Sequence, residues 1–392
     1  MKKSALLLLC GVLFLGACQK IDYREEPSKD DTLTGETVDV SLFSDFARKL
    51  FVLNEGQMGS NNASLDFLRF SSGVYVTDAF KKMNPSVGAG LGDVGNDIAV
   101  KGGEVWIVVN NSGIVEVISA EDETESKAIS IPTPRSIAFD SQYAYVTSWA
   151  GAFATGAYDE NGYYNITDYS NPKGQVYRIN LETKQVEGSV EVGYQPEGIA
   201  CFDGKVYVAN SGGISSQLPP SYSYDNTVSI IDADSFKVTA TVEVQVNLKN
   251  IYTDLRGNIY VTSMGNYWDI HSGLYTFEAS NPSSVSLVGE YVSVSAYNDG
   301  YIYCIGTETE FDWSLPSHKY SAWRAKEGMK FSDVDLDLTG ITPYSLFFLD
   351  WSTCFIGDAG DYVNPGTLNC FYKGNKRWSV QAGVCPGHFA AY

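Results

Sequence analysis

The sequence predicts an all-β fold: a seven-bladed β-propeller whose last strand closes the N-terminal blade. Three observations carry that prediction. A unit of four short strands recurs along the chain, with Gly, Asn and Asp at its turns. Six copies of the unit's head stand inside the chain, and a seventh ends it. Helical periodicity is scarce, and repeated four-stranded units of this length indicate a propeller.

The heads come first. "TPRSIAFDSQYAYVTS" begins at Thr133, "QPEGIACFDGKVYVANS" at Gln195 and "TPYSLFFLDWSTCFIGD" at Thr342. Each has a proline, two variable residues, an apolar strand, a turn and a second apolar strand. Weaker copies begin at Gly95, Asn247 and Val294. A third strand follows each pair, such as "GIVEVI" or "NTVSII", and then a more polar fourth, such as "FKVTATVEV". The terminal "CPGHFAAY" has the same head, whereas "KLFVLNEGQ" and "ASLDFLRF" near the N-terminus lack a first strand. Placing the terminal strand there closes the ring and removes an exposed edge. Six or eight blades, or a β-sandwich, are the alternatives; a sandwich has no need of the proline-headed repeat. The propeller is expected over residues 49–392.

Residues 1–17 read as a signal peptide. "MKKSALLLLCGVLFLGACQK" places two lysines before an apolar run from Ala5 to Leu15, too short for the ~20 residues of a membrane-spanning helix. "LGAC" resembles a bacterial lipobox, which makes Cys18 the expected lipidation site. Residues 18–48 are expected to be a lipidated N-terminus and polar tether. Within them, "DTL" at Asp31–Leu33 fits a short O-glycosylation motif on Thr32. The net charge of −20 opposes binding to phosphate backbones, so nucleic acid is not an expected partner. Five cysteines, Cys201, Cys304, Cys354, Cys370 and Cys385, lie inside apolar strand patterns and read as buried thiols. Only Cys354 and Cys370 are placed to face each other across a hairpin.

The antiparallel meander puts the start of strand one and the end of strand two on the same side, here the top face. The long insertions follow strand two: Trp149–Gly174, Ser211–Asn226, Ser263–Gly273, Thr307–His318 and Asp358–Gly366. They are rich in Tyr, Trp, Asn, Ser and Gly, which give broad contact area and polar tips. Trp149, Tyr164, Tyr222, Tyr224, Tyr267, Trp268, Trp313 and Tyr362 are therefore candidate ligand contacts. Nearer the axis, the strand-one heads supply Arg135, Asn250, Tyr344 and His388, with Asp97 and Glu197 beside them. The ends of strand two supply Asn54, Glu55, Asn110 and Asn210. Arg135 is the sharpest, since a guanidinium near a channel mouth suits a phosphate or amide oxygen; an inter-blade salt bridge is its structural alternative.

Enzyme signals are sparse. The three histidines, His271, His318 and His388, map to separate blades without a fixed spacing. No P-loop, dinucleotide fingerprint, GxSxG or HExxH motif occurs. Neither a metal nor a cofactor is expected.

"YAYVTS", "KVYVANS" and "NIYVTS" resemble the YVTN-type propeller repeat. "KLFVLNEGQMGSNNASLDFL", "LGDVGNDIAV", "VWIVVNNSGIVEVI", "TPRSIAF" and "GVCPGHFAAY" are together similar to a family of Bacteroidota surface lipoproteins with YncE-like seven-bladed propellers. The resemblance runs from about Lys49 to Tyr392. By its BtuG-type members it implies a non-enzymatic protein, lipid-anchored in the outer membrane and facing the cell exterior. Such a protein captures cobalamin or a related corrinoid and passes it to a TonB-dependent outer-membrane transporter. The rivals are a binding module for a glycan or protein partner and a propeller lyase or hydrolase.

Overall fold

The computed structural model describes residues 32–43, 47–88, 90–150, 154–158, 164–169, 172–212, 224–266, 269–307 and 318–392, with backbone alone for 154–158 and 164–169. Seven four-stranded antiparallel sheets make the blades, and a fifth short strand joins the first of them. Among the described residues one helix of five residues, Ala79–Met83, follows the first blade's outer strand.

Blade 1 takes its inner strand from the C-terminus. Pro386–Ala391 pairs with Lys49–Asn54, bringing Val52 opposite Phe389 and Phe51 opposite Ala390. Ser64–Arg69 and Val74–Val76 complete the meander. The inner strands of the other blades are Gly95–Lys101, Pro134–Phe139, Pro196–Phe202, Leu248–Thr253, Val294–Asn298 and Pro343–Phe348. The expected closure of the N-terminal blade is thus what the chain adopts, and it leaves no inner strand unpaired at the seam.

Burial explains the strand patterns. The second strand of every blade lies between its neighbours on both sides, so it reads as a nearly continuous apolar run: "EVWIVV", "KVYVAN", "NIYVTS". Outer strands face solvent and turn polar, as in "KVTATVE", where only Val242 is buried. The core therefore sits between blades. Trp106 and Val108 of the second blade, for example, pack with Ile137 and Val146 of the third. One aromatic per blade occupies the third place of the second strand: Phe51, Trp106, Tyr145, Tyr207, Tyr260, Tyr303 and Phe355, none more than 3 % exposed. Large rings there fill the wedge that opens between blades away from the axis.

The crossings between blades share a local device. Val94, Thr133, Gln195, Asn247 and Cys385, each just before an inner strand, have φ of 63°, 39°, 44°, 56° and 53°. Side chains with a Cβ avoid this left-handed region at a cost of roughly 1–2 kcal/mol each. What holds them is a backbone bond: their carbonyls accept from the N–H groups of Asn110, Trp149, Ser211, Met264 and Glu55, respectively, at 2.8–3.2 Å. Each acceptor thereby pins the point where the chain leaves the second strand of the blade.

Two expectations change. The cysteines of the last hairpin do not face each other, because Cys354 stands opposite Phe371 and Cys370 opposite Phe355. A one-residue offset sends their side chains to opposite faces of the blade. Cys354 packs beside Phe348, Cys370 beside Leu50 and Val380, and both are free thiols. The segment expected as a tether is in part docked. Glu36–Thr37 pairs with the outer strand of blade 1, Val38, Val40 and Phe43 pack across blades 1 and 7, and Trp378 Nε1 donates to the Asp39 carbonyl at 2.9 Å. Cys18 lies outside the described residues.

Candidate functional site

A cavity of about 600 Å3 opens at the top of the central axis. Its wall is built from inner strands, because these are the elements whose edges face the axis. Charged and amide groups dominate one side: Asn96 and Asp97 of blade 2, Arg135 and Ser136 of blade 3, Glu197 of blade 4, Lys249 and Asn250 of blade 5. Aromatic rings come from blades 5, 6, 7 and 1, as Tyr252, Tyr297, Tyr344, Phe347 and Phe389, with Glu55 and His388 among them. The wall is amphipathic.

Hydrogen bonds tie the polar side from blade to blade. Asn96 Nδ2 donates to the Arg135 carbonyl at 2.8 Å, and Asp97 accepts the Ile137 N–H at 2.9 Å. Thr147 Oγ1 accepts from Ser136 N and donates to the Glu197 carbonyl, so one hydroxyl links three strands. Arg135 donates Nε and Nη2 to the same oxygen of Glu197, at 3.1 and 2.9 Å, while its guanidinium lies 4.4 Å from the centre of the Trp149 ring. The pair is partly buried, the two side chains being 17 % and 15 % exposed. Burial raises the Asp97 pKa, although the charge of His388 and the N–H groups of Ile137 and Ile98 work the other way.

A second cluster spans the ring's seam. Tyr344 of blade 7 donates its hydroxyl to Glu55 Oε2 at 2.6 Å, and His388 Nε2 of the closing strand lies 3.2 Å from Glu55 Oε1. Burial pushes the Glu55 pKa up, but bonding and charge from His388, with help from Tyr344 and Lys249, outweigh it and hold the carboxyl below its usual range. The Tyr344 hydroxyl is correspondingly much harder to ionise, from burial first and the Glu55 charge second.

Of the sequence candidates, Glu55, Arg135, Asn250, Tyr344 and His388 come together on this wall. Trp149 stacks behind Arg135, and the Tyr362 ring meets Tyr344 edge-on at 5.7 Å. Asn54, Asn110 and Asn210 are buried inside the blades. Their amides donate to Ser64, to the Pro134 carbonyl and to Thr227 and Ser229, respectively, so they stitch strands and do not reach the cavity. Tyr224 stands at the end of its loop, outside the cavity wall. Tyr222, Tyr267, Trp268, Trp313 and the Tyr164 side chain lie outside the described residues. His271 and His318 contact Tyr291 and Tyr320 and are not part of the wall. Among the described residues no group of three or more His, Cys, Asp or Glu is placed to hold a metal ion.

Sequence reasoning missed Asn96, Lys249 and, of the aromatic rings, Tyr252, Tyr297, Phe347 and Phe389. A signal was present. Asn96, Arg135, Glu197, Lys249, Tyr344 and Gly387 fall at one position of the repeat, directly after its proline or the residue replacing it.

No family model matches the chain, and no curated protein matches it. Solved structures do. Hydrazine synthase of Kuenenia stuttgartiensis aligns with a TM-score of 0.56 at 13 % identity, over 75 % of this chain and 88 % of that one. The computationally designed Ika8 protein aligns with a TM-score of 0.50 at 11 % identity, over 86 % and 89 %. At such identities the likeness is one of fold.

Proposed function

We propose that this chain is a lipid-anchored binding propeller of the outer membrane. In this reading it takes cobalamin or a related corrinoid on its top face and delivers it to a TonB-dependent transporter. The observation that carries the reading is the amphipathic cavity that the inner strands wall at the top of the axis. Its volume of about 600 Å3 falls in the ~300–1,000 Å3 range typical of drug-sized ligands. A corrinoid is larger, so its macrocycle rests across the loops while a substituent enters the channel. Rigid inner strands position the wall, which keeps the entropy lost on association small. The test is calorimetric titration of soluble protein beginning at Thr32 with cyanocobalamin; one ligand bound per chain is expected. Trp149 supports Arg135 from behind, and Trp149→Ala should weaken binding by about 2 kcal/mol, as a truncated hot spot does. A flat titration with folded protein refutes the corrinoid reading.

One observation favours a second reading. Tyr344, Glu55 and His388 form a hydrogen-bonded acid–base set on the cavity wall, the kind of set a lyase or hydrolase needs. Recovery of chemically unchanged ligand after long incubation separates binding from turnover.

A further inference from the structure

We infer that Lys249 is the residue that receives the ligand's anionic group, which in a cobalamin is the phosphate of the nucleotide tail. This rests on the corrinoid reading and says which part of the molecule enters the channel. On three consecutive blades the repeat position at the mouth reads Arg135, Glu197, Lys249: cation, anion, cation. Arg135 is committed, with two nitrogens on Glu197 and its plane on Trp149. Glu197 is answered by the same contact. Across the mouth, Glu55 already has Tyr344 and His388. That leaves Lys249, exposed on the rim, with no ion pair among the described residues.

The uncommitted ammonium is a compact, flexible point charge of the kind that binds phosphate oxygens, whereas the Arg135 fork is already in use. Its charge reaches far enough over the opening to help depress the Glu55 pKa. The chain as a whole, at a net charge of −20, repels anions, so the rim lysine marks where a phosphate is tolerated.

The experiment compares two corrinoids by calorimetry. Cyanocobalamin carries the phosphate and nucleotide; dicyanocobinamide has the same ring and lacks both. Lys249→Gln is expected to weaken cyanocobalamin about tenfold or more, the loss of one charge-assisted contact, and to flatten its salt dependence. Cobinamide binding should be unchanged, and Lys249→Arg should keep most of the cobalamin affinity. Because Lys249 is exposed and unpaired, the melting temperature should not move. Equal effects on both ligands, or none on either, overturn the assignment while leaving corrinoid binding in place. A wild-type protein that binds neither corrinoid overturns the corrinoid reading itself, and this assignment with it.

Discussion

Gly357→Ala probes the seam of the ring. Gly357 lies in the second strand of blade 7, where an added Cβ would stand 2.1 Å from the Pro386 carbonyl oxygen and 2.3 Å from Ser345 Oγ. Neither neighbour is the loose end of a long side chain. Pro386 opens the closing strand, and the Ser345 hydroxyl donates to that same carbonyl. The strand must shift by about 1 Å to admit a methyl group, which overpacks the site by roughly 1–3 kcal/mol. Losing the Ser345 bond adds about 0.5–1.5 kcal/mol, for a total near 2–4 kcal/mol. With an unfolding entropy of ~2.1 cal/mol/K per residue over ~340 residues, that lowers Tm by ~3–6 °C. Gly188→Ala is the control, since an added Cβ there meets nothing within 4 Å. The assay is differential scanning calorimetry of both variants. If Gly357→Ala melts within about 1 °C of wild type, the blade 7–blade 1 packing described above is wrong.

Two further outcomes are expected. Glu116 is buried with one carboxyl oxygen unpartnered, and burial first, then the Glu125 charge, raises its pKa from 4.5 to about 7. The folded state holds that proton more tightly than the unfolded chain. The stability it contributes is therefore present below pH 4.5 and lost as the pH rises through 7. Glu116→Gln should match wild type at low pH and exceed it by about 1–2 kcal/mol at pH 8, after discounting for partial solvent contact; urea melts at several pH values read this directly. For the anchor, Cys18→Ala should release the protein from the membrane fraction, and retention there would contradict lipidation.

The fold was legible because a propeller repeats its physics. A proline-headed inner strand, an apolar second strand and a polar fourth strand return with each blade, and the one head without followers matched the one blade without a head. The site was harder to read. Asn54, Asn110 and Asn210 end their strands near the top face, where an amide serves either a ligand or a neighbouring carbonyl. Residue type does not say which way it points. Lys249 lacked the marks that drew attention to aromatics and histidines, although its place in the repeat equals that of Arg135. The docked segment hid in polar composition, with Leu33, Val38, Val40, Leu42 and Phe43 spaced among polar residues as its apolar signal.

The left-handed hooks at the crossings have a consequence for how such a protein changes over time. Each hook fastens the stem of a top-face loop to main-chain atoms of its own blade, so the stem's position does not depend on what the loop contains. After Asn110 the chain turns back within a few residues, whereas after Trp149 it carries a hairpin, Ala154–Tyr158 with Tyr164–Tyr169, on the same kind of stem. Loops behave as exchangeable cassettes on a fixed socket. Ligand preference can then be rewritten by lengthening, shortening or grafting one cassette at a time, with the ring's folding energy left nearly untouched.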